Sequence, residues 1–500
     1  MAESEIALAH AQLSARQLAE GAHGAALESI AAALRLAPGI ASFWTQFADL
    51  IRYFNLRHPV PPAVRELLSR ALEHPAVDPG NLVRPVTTLA LSRPQPLEEP
   101  LLLRLLEDVV IRDAALEHLI TETRRRMLEE RLPLALMTAI AHQCFNTEYV
   151  FEESAEERGK VDELRTALLA ADIVPDHWCA AYAAYRPLGT LGPKKLPIAS
   201  LVRRQVLEPA EERRLAAQIP SLGTAGGAVS ARVQQQYEEN PYPRWVRTQS
   251  SLPPDMFSKA ATQVLVAGCG TGQNAITTAQ RFASARVLAV DISRASLAYA
   301  RRKTLELSIH GIEYRQADIL GLGELAERFD VIECSGVLHH LEDPLAGWRV
   351  LSSLRTPGGF MRIGLYSELG RRAVVRAREL IAAEGFKPDA EGIRACRAAI
   401  RARSDDPLLA SLARNEDFFS RSGCRDLLFH AHEVRFTLPQ IASMIEALGL
   451  RFLGFEFPDS GETLARYRER FNDALDLQSW HRFESEFPDT FARMYQFWVT

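Results

Sequence analysis

The amino-acid sequence predicts an α/β chain in which a doubly wound, seven-stranded sheet follows an all-α region. Three observations predict it. After about residue 226, short β-branched runs alternate with helical segments. A glycine-rich string, VLVAGCGTGQ at 264–273, joins the first of those runs to a helix. Before residue 95, apolar residues recur at three and four spacing, punctuated by Pro38, Pro59 and Pro79.

The first element, 1–95, reads as α-hairpins. Ala26, Ile30, Ala33 and Pro38 stand where a tetratricopeptide unit places its small packing residues and terminal proline, and Trp44 falls near the start of the next unit. Pro61 and Pro62 interrupt that second unit, so an ordinary helical bundle is the competing reading. The second element, 96–225, stays helical; LLLRLLEDVVIRDAALEHLITETRRRMLEERL mixes charges on a periodic apolar background and reads as one or two amphipathic helices for packing or dimerisation. SLGTAGGAVS, 221–230, is small and Gly-rich and reads as a linker, which sets the main boundary before a third element, 226–500.

In that third element QVLVAG, ARVLAVD, IEYRQAD, FDVIECS and GGFMRIGLYS give five successive strands. TLPQIASMIEALGL (437–450) is a helix ending at Gly449, RFLGFEF a sixth strand, and MYQFWVT a last strand expected to insert antiparallel. Between the fifth strand and that helix lies an Arg-rich excursion, 368–436, expected to be a lid or substrate insertion at the carboxyl edge of the sheet.

Bulk properties exclude several functions. Net charge is −5, so there is no basic footprint and no nucleic-acid partner is expected. Six cysteines are scattered without the spacing of a zinc knuckle or redox pair, which suits a reducing cytoplasm. MAESEIALAH lacks a basic region followed by an apolar stretch, and LPLALMTAIA (132–141) is too short to cross a bilayer, so neither secretion nor membrane insertion is expected.

Four elements carry the chemistry. Gly268, Gly270 and Gly272 let the backbone turn tightly and approach a ligand. Asp291, about 20 residues on at the end of the second strand, can accept both hydroxyls of a ribose. Asp318, beside the apolar Ile319, follows the third strand where an adenine amino group needs an acceptor. FDVIECSGVLHHLEDP (329–344) closes the fourth strand. The G-x-G-x-G spacing and the HHLEDP stretch disfavour a nicotinamide oxidoreductase.

In these motifs the sequence resembles the class I methyltransferases, over about 226–500. The resemblance implies a Rossmann-like sheet and S-adenosylmethionine as cofactor, with Gly268, Gly270 and Gly272 as its loop, Asp291 with Ile292 at the ribose, Asp318 and Ile319 at the adenine, and Ser335, Gly336 and Leu338 on the sulfonium side. A narrower resemblance, to bacterial tetratricopeptide-linked methyltransferases and through them to lysine methyltransferases acting on outer-membrane proteins, rests on QCFNTEYVF (143–151), QQYEENPYPRW (235–245), CRDLLFHAHEVRFTLPQI (424–441) and MYQFWV (494–499). It implies that Tyr237, Tyr242, Arg244 and Trp245 clamp the cofactor, with Arg244 pairing its carboxylate. The alternative for that segment is a Pro-stiffened linker packed on the sheet.

An amine acceptor must lose a proton before attack, so His339, His340, Tyr366 and His430 are the candidate catalytic residues, with His432 and Glu433 as further possibilities. His430 and His432 with Asp426 also suggest a metal cluster, but an H-x-H pair on a helix turns its rings to different faces and no metal is expected. The absence of an Asn- or Asp-Pro-Pro-Tyr string after the fourth strand disfavours nucleobase methylation. The leading expectation is methylation of a protein side chain, lysine first, with the helical half gripping the substrate or a second copy in a homodimer. Methylation of a small metabolite under the excursion, and a non-catalytic scaffold, are the alternatives.

Overall fold

The computed structural model describes residues 2–223, 226–249, 262–282, 284–457 and 461–500. The chain gathers into two compact units.

One unit is all-helical and runs to Pro209, joined by the stretch from Arg244 and by residues 419–421. Its first helices are Ala2–Ala19, His23–Leu36 and Ala41–Ile51. Ala26, Ile30 and Ala33 are buried as the periodicity predicts, and the Trp44 indole N–H donates to the Pro38 carbonyl at 2.8 Å. The long amphipathic run divides into Pro100–Asp108 and Ala114–Arg126, because Asp113 caps the second helix by accepting from the Leu116 N–H. Residues 1–95 and 96–209 thus share one unit. Arg124 is buried against Glu157 at 3.2 Å, and Glu157 also accepts from the Tyr185 hydroxyl at 2.8 Å.

The second unit is built on a seven-stranded sheet: β1 (Gln263–Ala267), β2 (Arg286–Asp291), β3 (Ile312–Gln316), β4 (Phe329–Ser335), β5 (Arg355–Leu365), β6 (Phe452–Phe455) and β7 (Tyr495–Val499). Their order is β3-β2-β1-β4-β5-β7-β6. β1 to β5 pair in parallel, and β7 lies antiparallel between β5 and β6. Alternation along β1 separates the cores: Leu265 and Ala267 join one around Trp348, Phe436 and Trp480, whereas Val264 and Val266 join another with Leu215 and Ile219.

Residues 210–223 belong to this sheet unit, including 221–223 of the expected linker 221–230. The Gln316 N–H donates to the Pro220 carbonyl at 2.8 Å and the Leu222 N–H donates to Gln316 at 2.9 Å, so Ser221 adds a parallel bridge beside β3. Unpaired groups on a sheet edge recruit such segments. Thr224 and Ala225 of the expected linker lie outside the described residues. The helix Ala228–Glu239 follows directly.

The excursion holds the helices Arg372–Glu384, Ala390–Ala402, Pro407–Leu412 and Arg421–Phe429. Its two ends meet. The Phe436 N–H donates to the Tyr366 carbonyl and the Glu368 N–H to the Phe436 carbonyl, each at 2.9 Å.

Candidate active site

The crevice opens at the carboxyl ends of β1, β2 and β4, where the strand order reverses on either side of β1. Gly268, Gly270 and Gly272 all have positive φ, at 75°, 52° and 85°. A Cβ on Gly268 would stand 2.2 Å from a Val337 methyl, and one on Gly270 would stand 2.5 Å from the Tyr242 carbonyl oxygen. Only glycine fits there. Asp291 ends β2 and is buried; its Oδ2 accepts from the Gly270 N–H at 2.8 Å and its Oδ1 from the Ser293 N–H at 2.9 Å. Each oxygen keeps a lone pair for a hydroxyl. Burial pushes this carboxyl up to about 6.

Asp318 accepts from the Leu320 N–H and from the Gly226 N–H, each at 3.0 Å. Ile292 presents its carbonyl to the Gln316 side chain at 3.0 Å. Leu338 and Ile319 both converge on Gly347, where a Cβ would lie 3.2 Å and 3.7 Å from their methyl groups, so their side chains pack against the helix Pro344–Ser353 in the apolar core. Ser335 Oγ lies 3.5 Å from Met494 Sδ, and Gly336 turns beside them with φ 78°. Met494, just before β7, is a site residue that sequence reasoning missed. The antiparallel insertion of β7 beside β5 brings it there.

Of QQYEENPYPRW, Tyr242 and Pro243 lie against the loop. Tyr242 accepts from the Thr271 N–H at 3.3 Å and Pro243 accepts from the Thr271 hydroxyl at 2.6 Å. Glu238 accepts from the Arg294 and Ala295 N–H groups at 2.6 and 3.0 Å, across the start of the helix that follows Asp291. Arg244 and Trp245 belong with the helical unit, where the Arg244 guanidinium stands 5.2 Å over the Phe145 ring.

The four candidate catalytic residues come together in one buried cluster. His339 stacks on Tyr366 at 3.7 Å and His340 stacks on His430 at 3.6 Å, with His339 edge-on to His340. The His340 Nδ1 bonds the His432 carbonyl at 2.8 Å. A chain of hydrogen bonds runs onward: the His432 N–H donates to His430 Nδ1 at 3.1 Å, His430 Nε2 lies 3.1 Å from the Tyr237 oxygen, and the Tyr237 hydroxyl donates to Asp426 at 2.7 Å. Arg371 lies 3.9 Å over the Tyr366 ring and pairs with Glu433, which also holds Arg378 at 3.1 Å. Both nitrogens of His339, the His432 Nε2 and the Gln236 Nε2 are buried without partners among the described residues. Buried polar atoms left open in this way call for a ligand or water to complete them.

The electrostatics correct one expectation. Histidine was expected to act near neutral pH, but burial lowers His340 to about 4 and holds His339 and His430 well below their ordinary range. Burial instead raises the Asp426 carboxyl to about 7. His340, Asp426 and His430 place ligand atoms within 4.8 Å of one another. The rings of the two histidines are only 17° from parallel, however, so their in-plane lone pairs run side by side instead of meeting at a point. That geometry suits stacking and hydrogen bonding.

Residues 264–359 match a family model described as a methyltransferase domain. Over those residues the chain is similar to methyltransferase domains. The glycine cradle, the buried Asp291 and the open Gln236 amide are groups that would fit S-adenosylmethionine. An uncharacterized protein of Synechococcus sp. is 31% identical over 243 residues, covering 44% of this chain and 55% of that one. A ubiquinone biosynthesis O-methyltransferase of Stutzerimonas stutzeri is 34% identical over 129 residues, covering 26% and 53%. The chain thus spans about half the length of these curated relatives. Among solved structures, PKMT2 from Rickettsia typhi aligns at 16% identity and TM-score 0.37, covering 55% of this chain and 53% of that one. Among the described residues, no helix is long and apolar enough to cross a membrane.

Proposed function

We propose that the protein transfers a methyl group from S-adenosylmethionine to a side chain of another protein, lysine being the leading acceptor. The observation that carries the reading is the buried cluster of His339, His340, Tyr366, His430, Tyr237 and Asp426 at the ends of β4 and β5, beside the glycine crevice. Gly268, Gly270 and Gly272 would hold the cofactor's amino-acid end, Asp291 its ribose and Asp318 its adenine. The sulfonium arrives already activated, so the protein's part is to align the acceptor in line with the methyl, keep water away and remove a proton. The large helical unit supplies surface for gripping a protein substrate.

Methylation of a small hydroxylated metabolite is the second reading. Its support is the burial of the same cluster, which suits a small acceptor, together with the likeness to the O-methyltransferase over 129 residues. Incubating a cell extract with the chain and radiolabelled S-adenosylmethionine separates the two. Label in the protein fraction supports the first reading. Label confined to small molecules overturns it in favour of the second, and no binding of S-adenosylmethionine by calorimetry overturns both.

A further inference from the structure

Asp426 stands in an unusual position for a carboxylate. It sits on the helix Arg421–Phe429 within the excursion, is only 4% exposed, and makes no ion pair among the described residues. The groups facing it come from several elements. Tyr237 reaches it from the helix Ala228–Glu239, His340 from the loop after β4 and His430 from the return of the excursion; Asp417, Arg371 and Glu433 act on it through space. Arg371, the guanidinium that acts on it, is already answered by Glu433. A second carboxylate, Asp417, accepts from the Tyr242 hydroxyl at 2.9 Å. Two acidic groups and two phenols therefore converge beside the histidine stack.

A buried carboxylate without a counter-cation is costly, and a ligand that brings the missing charge relieves that cost. A neutral phenol or alcohol brings none. We propose, on the basis of the methyl-transfer reading above, that Asp426 receives the acceptor as a primary ammonium and takes the proton that the amine sheds before attack. Tyr237 is its positioning residue, held by His430.

The step balances. The ammonium gives one proton to the Asp426 carboxylate, leaving a neutral amine. The amine lone pair forms a bond to the methyl carbon, and the carbon–sulfur bond breaks with its electron pair going to sulfur. A neutral thioether and a methylammonium result, with the displaced proton on Asp426. The histidines, kept neutral by burial, leave the acidic side of the site to attract the cation.

The test is calorimetric titration of the full chain, first with S-adenosylhomocysteine and then, in its presence, with n-butylammonium. The wild-type chain is expected to bind the amine more tightly as pH rises through about 7, as Asp426 ionises. Asp426→Asn is expected to keep S-adenosylhomocysteine binding while weakening the amine by about tenfold or more, with the pH dependence gone. Tyr237→Phe keeps the carboxylate and is expected to move the pH midpoint upward. No amine binding by the wild-type complex, or equal binding by Asp426→Asn, overturns the inference while the methyl-transfer reading stands. Should Asp426→Asn lose S-adenosylhomocysteine as well, Tyr237→Phe decides, and an unmoved midpoint overturns the inference. A wild-type chain that binds no S-adenosylhomocysteine overturns the methyl-transfer reading itself.

Discussion

At the scale of single residues, the crevice depends on charge and backbone more than on side-chain volume. Asp291 ties the glycine loop to β2 through Gly270. Asp291→Ala is expected to lower S-adenosylmethionine affinity by about 30-fold or more, measured by calorimetry with a nicotinamide dinucleotide as the control ligand. Gly270→Ala forces a Cβ onto the Tyr242 carbonyl at a positive φ, and a loss of about 1–3 kcal/mol in urea unfolding is expected. Asp426 gives a pH-dependent prediction. Its carboxyl is raised from 3.8 to about 7 in the folded chain, so the protonated form is favoured on folding. The stability it contributes is full below about pH 4 and is lost as pH climbs through 7. Ligand-free Asp426→Asn is therefore expected to match the wild type near pH 4 and to exceed it by about 1–3 kcal/mol at pH 8, read from urea midpoints. The glycines, Asp291 and Asp318 were legible in the sequence because fixed spacing on a strand–loop–helix unit carries them. Asp426 was legible only as a doubtful metal ligand, since its meeting with Tyr237 and His340 joins segments far apart in the chain. Met494 was legible only as the first residue of the string MYQFWV, with no role of its own.

At the scale of elements, the first five strands follow from short β-branched runs and the last two from apolar ones, the final strand inserting antiparallel as expected. What pattern reading missed is pairing made by irregular backbone. Ser221 bridges Gln316 with too few residues to show a period, and the closure of the excursion at Ser367 and Phe436 is a single bridge between segments almost 70 residues apart. That closure matters because it carries His430, His432 and Glu433 back to the ends of β4 and β5. Phe436 is buried in the larger core, and its N–H donates to the Tyr366 carbonyl. Phe436→Ala is expected to cost about 3 kcal/mol and to speed hydrogen exchange at Glu368 and Val434 more than at β1 amides. Uniform loss of protection across the sheet would instead mean that the excursion and the core open as one. A second lock lies beside it: Glu484 is buried and accepts from the Tyr495 hydroxyl at 2.6 Å, and Ser367 donates to its other oxygen. This ties β7 to the mouth of the excursion, which is where Met494 meets Ser335.

At the scale of the whole chain, the organisation read from sequence, a helical half joined by a linker to a sheet half, differs from the way the units are made. The helical unit recruits later pieces of chain. Arg247 donates to Asp108 at 3.0 Å and to the carbonyls of His74 and Leu72 at the end of the helix Pro62–Glu73, and the Arg421 N–H donates to the Thr147 carbonyl at 3.2 Å. Composition could not show this, because one arginine in a Pro-rich segment looks like any linker residue. The consequence bears on the simplest test of what the helices do. A chain starting at Ala210 strips the helical partners from Arg247, Arg421 and the buried Trp245 and Val246, leaving polar and apolar groups together without cover. Such a fragment is expected to aggregate or to melt without a cooperative transition, and scattering with thermal unfolding monitored by circular dichroism would show it. Loss of methyl transfer in that fragment would then report damage to the fold and not removal of a substrate-gripping surface. If the fragment instead melts cooperatively and binds S-adenosylmethionine as the full chain does, the recruited segments are dispensable. A selective loss of protein labelling in it would then assign substrate capture to the helices.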